Sequence, residues 1–210
     1  MRRCGSAQQR GKLGLTYGYD IYLRPQNVAR ALANLAELAP PSRGVPPLEL
    51  TLPGGDRLVL PFTSHFKSEP VDCSTSRTLE LDTSIMFGVD DAVREYGEAH
   101  GHEIDEDGRV RIGYVYLTIR FESSLHPRYA SAEFWAATSA MSRVFARSAR
   151  VREVFTGLTA ASGGVCCLFD TRDGSPEQVC WLNGETTQEM VSSPRFPDLR
   201  ALWRLGPIPT

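Results

Sequence analysis

Residues 109–122, RVRIGYVYLTIRFE, keep a strict alternation for longer than any other stretch of the chain. Val115, Leu117, Ile119 and Phe121 fall on one face of a strand, and Tyr114, Tyr116, Thr118 and Arg120 fall on the other. A strand this long carries a row of backbone amides that need partners, so its length predicts a central place in a sheet. The chain must therefore supply neighbouring strands, and it does. TYGYDIYLRP, residues 16–25, alternates Tyr17, Tyr19, Ile21 and Leu23 with Gly18, Asp20 and Tyr22, the period of a half-buried strand. LELTLPGGDRLVLPF, residues 48–62, reads as a hairpin around Pro53-Gly54-Gly55-Asp56, with Leu48, Leu50 and Leu52 matched by Leu58, Leu60 and Phe62. Residues 78–87 give a further strand on Leu79 and Leu81.

Helical periods interrupt these strands. Val28, Ala31, Leu32, Leu35 and Leu38 line one face of a helix that Pro40 and Pro41 end. A short helix starts on Asp90 or Asp91, where a carboxylate suits the amino-terminal dipole, and dissolves into an acidic turn. Phe134, Ala137, Met141, Val144 and Phe145 form a third apolar stripe; a straight continuation would carry Arg152 onto it, whereas Val151, Val154, Phe155 and Leu158 make a rotated stripe of their own. The helix is thus expected to break near Ser148, whose hydroxyl caps a second helix, and Gly163 with Gly164 stops that one. Strands in runs with helices inserted predict an α+β fold: a mostly antiparallel sheet with helices on one face. Residues 1–15 are expected to form a flexible basic arm, residues 16–210 one domain, and residues 198–205 a terminal helical turn.

Charge and composition exclude several function classes. Lys and Arg total 23 against 25 Asp and Glu, a net charge of −2, so no whole-chain attraction to nucleic acid follows. No apolar run approaches the roughly 20 residues of a membrane-spanning helix, and the amino terminus lacks a signal-peptide core, so a cytosolic protein is expected. The five cysteines, unevenly spaced in a chain of 210 residues, are expected to be reduced thiols.

Four segments carry residue types suited to chemistry. The segment EYGEAHGHEIDEDGR holds His100, His102 and the carboxylates Glu95, Glu98, Glu103, Asp105, Glu106 and Asp107, all ligand types for a divalent ion. An EF-hand alignment starting at Glu103 leaves Tyr114 where the bidentate Glu must stand, so a solvated acidic turn is the expected reading and no metal is assigned. Arg143, Arg147 and Arg150 form a basic stripe, without the interleaved aromatics that stack on bases. Cys73, with His65 and Asp72 nearby, is the best nucleophile on offer, but sequence neighbours on a loop need not converge; His126 before Pro127 reads as a turn residue. No nucleotide-binding glycine motif exists, so no cofactor and no catalytic residue is assigned.

The fourth place is GGVCCLFDTRDGSPEQVCWLNG. Cys166 and Cys167 are adjacent on a strand and must face opposite ways. A two-residue Asp173-Gly174 turn would set Cys167 opposite Cys180 but would force Pro176 into the ladder. A longer loop between 170 and 177 avoids this and sets Val179 and Trp181 beside Val165, Cys167 and Phe169 on one buried face; that register is the expected one.

The run FWAATSAMSRVFARSARVREVFTGL followed by GGVCCLFD resembles segments of small uncharacterised bacterial α+β proteins, some of the toxin-immunity type. The likeness spans residues 134–170 and rests on helix-core residues and the Gly-Gly start of a strand. It implies protein binding without catalysis and carries no functional residue onto this chain. Two function classes follow. One is a cytosolic immunity-type domain whose acidic turn, Glu95, Glu98, Glu103, Asp105, Glu106 and Asp107, meets a basic protein partner such as a nuclease toxin. The other is a small-molecule sensor or enzyme with a pocket between helices and sheet, walled by Tyr114, Tyr116 and His65.

Overall fold

The computed structural model of the chain describes residues 14–40, 46–61, 69–123, 128–173 and 175–191. In chain order they form β1 (Gly18–Leu23), α1 (Val28–Glu37), β2 (Leu48–Thr51), β3 (Arg57–Leu60), β4 (Val71–Asp72), β5 (Thr78–Gly88), α2 (Asp91–His100) and β6 (Arg109–Arg120). There follow β7 (Ala130–Ala136), α3 (Ser139–Arg147), α4 (Ala149–Ala161), β8 (Gly164–Asp170), β9 (Glu177–Leu182), β10 (Glu185–Thr186) and β11 (Met190–Val191). The helical turn expected over 198–205 and nearly all of the basic arm lie outside the described residues. Leu15, assigned to that arm, belongs to the fold: its N–H donates to Ser139 Oγ at 3.0 Å and its carbonyl accepts from Ser142 Oγ at 2.9 Å.

The main sheet runs β10-β9-β8-β1-β7-β6-β5, with β11 also on β9, and all its pairings are antiparallel. This is the expected α+β class. The centre is not the longest strand: β6 lies next to β5 near one margin, and β1 sits in the middle between β7 and β8. Being central, β1 is buried on both faces rather than one, and Asp20 is only 1 % exposed. The 48–60 hairpin forms around its glycine turn, with Leu48 opposite Leu60 and Leu50 opposite Leu58; Phe62, matched to these leucines from the sequence, lies outside the described residues. It does not join the main sheet; with the parallel strand β4 it makes a separate three-stranded sheet whose leucines feed the same core.

Tyr19, Ile21 and Leu23 of β1 point toward the helices. Tyr19 stacks on Phe155 of α4 with centroids 4.4 Å apart, and its hydroxyl donates to the carbonyl of Phe145 at 3.0 Å. That carbonyl belongs to the last turn of α3, where intrahelical donors run out, so one phenol fills a gap between two helices and ties both to the central strand. Tyr19→Phe keeps the ring and strands a buried acceptor; a loss of about 1–3 kcal/mol is expected in urea unfolding.

The break between α3 and α4 occurs at Ser148, as the rotated stripe requires, but the first helix is shorter than expected: Phe134, read as the head of its stripe, lies on β7 opposite Tyr19 and Leu117, and α3 starts only at Ser139 behind its cap Thr138. Ser148 is extended, accepts from Val151 N at 3.0 Å as the α4 cap, and donates to Asp90 Oδ2 at 2.7 Å. Asp90 is itself the cap of α2, accepting from Val93 N at 3.0 Å, and its second oxygen also accepts from Arg150 N at 3.3 Å. Burial resists the charge on this carboxylate, but the hydrogen bonds from Val93, Ser148, Arg150 and Ala149 outweigh it and hold the carboxyl below its ordinary 3.8. The resulting stabilisation is complete above that ordinary value and is lost as pH falls through the lower folded value. Asp90→Ala should cost about 1–3 kcal/mol, against less than about 0.5 for the exposed neighbour Asp91→Ala. Asp90→Asn, which keeps an acceptor but carries no charge, should flatten the acid limb of stability measured between neutral pH and pH ~2.5.

Candidate functional site

The acidic turn is a built object. Gly101 closes α2 in the left-handed conformation, φ 67°, which a Cβ would strain. From there the chain doubles back so that Ile104 bridges Val110 at the start of β6. Asp105 organises the bend: its Oδ1 accepts from Asp107 N at 3.0 Å and Arg109 N at 2.7 Å, and its Oδ2 lies 3.3 Å from Arg109 Nε. Asp107 holds the other end of the same guanidinium at 2.8 Å. Glu95, on α2, faces Arg147 at 3.3 Å. Of the six candidate contacts, Glu95, Asp105 and Asp107 are thus committed to ion pairs, while Glu98, Glu103 and Glu106 are exposed and have no ion pair among the described residues. At the middle of the turn Ile104 is 49 % exposed, an apolar knob between carboxylates that the sequence reading passed over.

The two histidines stand against Tyr96 rather than around an ion. His100 Nδ1 lies 2.9 Å from the Tyr96 carbonyl, and the His100 ring stacks on Tyr96 at 4.1 Å, with His102 at 5.8 Å from the same ring. Burial, then the charges of His100 and Arg111, hold His102 below its ordinary value. No group of three metal-ligating side chains converges among the described residues. The arginine stripe is dispersed into pairs, Arg147 with Glu95 and Arg150 with Glu153 at 2.6 Å. Cys73 is buried in the core, and His65, its neighbour in the sequence, lies outside the described residues, as does His126. Tyr114 and Tyr116, 40 % and 43 % exposed, project from the face opposite the helices, because Val115 and Leu117 take the inner positions. They therefore do not wall a pocket between helices and sheet.

The cysteine hairpin takes the longer loop, and Cys167 pairs with Trp181 as expected. One detail differs. A β-bulge between Cys167 and Leu168 pairs Leu168 with Val179, leaving Cys180 as the extra residue of β9. Cys180 therefore joins Cys167 and Trp181 on the helix side, and Val179 turns to the opposite face with Tyr22, Cys166, Leu168 and Val191. Val165 lies on that opposite face too, against expectation, since it packs with Cys166 and Leu168. Cys166 and Cys167 do face opposite ways. Burial pushes the Cys167 thiol well above its ordinary value, with Cys180 adding to it, and pushes Cys180 up to about 11. Such thiols are poor nucleophiles and poor ligands near neutral pH.

A site the sequence did not suggest lies on the sheet face away from the helices. Asp20 of β1 stands directly opposite Glu133 of β7, and Gly18 lies between Trp135 and Asp170. Gly18 is required there, since a Cβ would meet Trp135 Cε3 at 2.5 Å. The indole so laid down carries the guanidinium of Arg172 at 3.3 Å from its ring centre. Arg172 also reaches Glu133 at 3.5 Å and Asp170 at 3.8 Å, and Arg120 Nε donates to Glu133 at 2.7 Å. Glu133, 9 % exposed, takes Ser131 Oγ as a further donor at 3.2 Å. A carboxylate engaged by two arginines and a hydroxyl is a structural anion, ill suited to act as a general base. The signal was available in principle: acids at inward positions of strands, as in DIY and AEF. A comparison of the chain with known protein families, curated proteins and solved structures finds no match.

Native-state alkylation followed by peptide mass analysis checks the thiol assignment. Cys73, Cys166, Cys167 and Cys180 should stay unmodified by iodoacetamide at neutral pH and all react in urea; fast native labelling of Cys180 would contradict its burial.

Proposed function

We propose that the chain is a non-catalytic protein-binding domain of the immunity type, acting in the cytosol, and that the turn between α2 and β6 contacts a basic partner. One observation carries the reading: Ile104, half exposed, is held by a hydrogen-bonded bend between Glu103 and Glu106, whose charges have no ion pair among the described residues. An apolar anchor with a charged rim is the anatomy of an interface centre, where the anchor supplies affinity and the rim steers encounter. Glu98, Glu103 and Glu106, which no ion pair among the described residues offsets, make that rim negative. Because Asp105 and Arg109 already fix the bend, little ordering entropy remains to be lost on binding. No helix of the described residues is long and apolar enough to cross a membrane, which is consistent with this reading.

The test is capture from a lysate of the source cell by the immobilised chain. A basic protein should be retained by the wild type and by Arg143→Gln. Ile104→Ala should weaken retention by about tenfold, and combined Glu98→Gln, Glu103→Gln and Glu106→Gln should abolish its salt dependence. Retention unchanged by all four substitutions would remove this turn from the interface.

A further inference from the structure

A groove of about 420 Å³ runs between the first turns of α4 and the strand edge at β9 and β10. Arg152 and Thr156, one turn apart on α4, form one wall; Cys180, Thr186, Thr187 and Gln188 form the other. The hairpin wall is fixed by the Cys180 bulge and by Thr187 N donating to the Cys180 carbonyl at 3.1 Å. Arg152 is the unusual member. Its Nε–H is buried without an acceptor, and it forms no ion pair with any described residue. Arg109 Nε, the other arginine nitrogen in that condition, at least faces Asp105 at 3.3 Å. The one acid lining the groove, Glu153, is turned to Arg150 at 2.6 Å. The rest of the guanidinium reaches the Tyr19 hydroxyl as a hydrogen-bond donor: burial raises Tyr19 and Cys180, and Arg152 opposes the rise at both, so that its Nε–H alone is left without an acceptor.

A guanidinium with a desolvated donor and no counter-charge is costly unless something accepts from it. The fork of Arg matches the oxygens of a carboxylate or phosphate, and hydroxyl and amide groups across a groove complete such a shell. We propose that this groove is a binding site for the oxyanion group of a small molecule, carboxylate or phosphate, with Arg152 as its principal ligand and Thr186, Thr187 and Gln188 as the facing donors. The site is separate from the acidic turn, and anion binding here does not depend on the protein-binding reading.

The Nε–Hε resonance of Arg152 in a ¹⁵N-labelled full-length chain reads the site directly. Inorganic phosphate and, separately, acetate are titrated at ionic strength held constant with sodium chloride. A saturable shift with phosphate alone assigns a phosphate-bearing ligand, and a saturable shift with both assigns the wider carboxylate class. No saturable shift with either up to ~50 mM, the Nε–H being met by solvent only, overturns the proposal. Thermal unfolding supplies the second measurement. The stabilising anion should raise the wild-type midpoint, Arg152→Lys should bind about tenfold more weakly because it keeps the charge without the fork, and Arg150→Met should bind like wild type. Equal stabilisation of wild type and Arg152→Lys, or loss in Arg150→Met alone, would place the anion elsewhere and refute the assignment.

Discussion

Two helices begin on one carboxylate. Asp90 caps α2 with one oxygen and, through Ser148 and the Arg150 amide, caps α4 with the other, although some 60 residues of chain separate them. The angle at which α4 leaves Ser148 decides what lies over β1. Because α4 is held there, Phe155 covers Tyr19, Tyr19 reaches Phe145, and Phe87 of β5 closes on both phenylalanines at about 6 Å. A local polar contact thus sets the geometry of the largest aromatic cluster in the core. The energetic weight lies in the buried rings, but their mutual placement is inherited from hydrogen bonds at the rim.

Elements whose cause is local were legible in the sequence. The stripe of α1, the Met141, Val144 and Phe145 part of the stripe of α3, the caps at Asp90 and Ser148, the glycine turn between β2 and β3 and the opposed faces of Cys166 and Cys167 each follow from a period or a dihedral preference within a few residues. What was not legible depends on partners far along the chain. That β1 pairs with both β7 and β8 cannot be read from its own six residues, so its two-sided burial and the burial of Asp20 do not show in the sequence. The β9 bulge depends on how β8 meets it, not on a motif. The chain from Phe134 reads as helix because its apolar residues continue the helical period of 141–145, which hides β7 and with it the buried position of Glu133. The acidic turn was visible as charge; its apolar centre, Ile104, was not, because a single isoleucine in a polar loop has no period. In the sequence Arg152 stands out only as an obstacle to a straight helix, and the break at Ser148 leaves it half-buried against the edge of the sheet.

The two sheet faces divide the labour. On the helix side burial is almost wholly apolar, so that side is specified by shape. On the other side a smaller cluster around Tyr22, Cys166, Leu168 and Val179 adjoins the Glu133 network, where arginines, an indole and carboxylates interlock at fixed distances. Such a network adds little net stability, since desolvation offsets most of the attraction, but a strand displaced by one residue would leave its charges unmatched. The polar face therefore guards the register that the apolar face exploits.

The bulge in β9 has the same logic in reverse. Cys180 and Trp181 are chain neighbours that look the same way, so inside and outside exchange parity halfway along the strand. A one-residue deletion at this point would not be a local defect: it would restore perfect alternation, turn one end of the strand inside out, and pull the floor from beneath Arg152. The irregular step is what lets a single short strand face two different interiors, and the regular strand it interrupts would be the misfolded one.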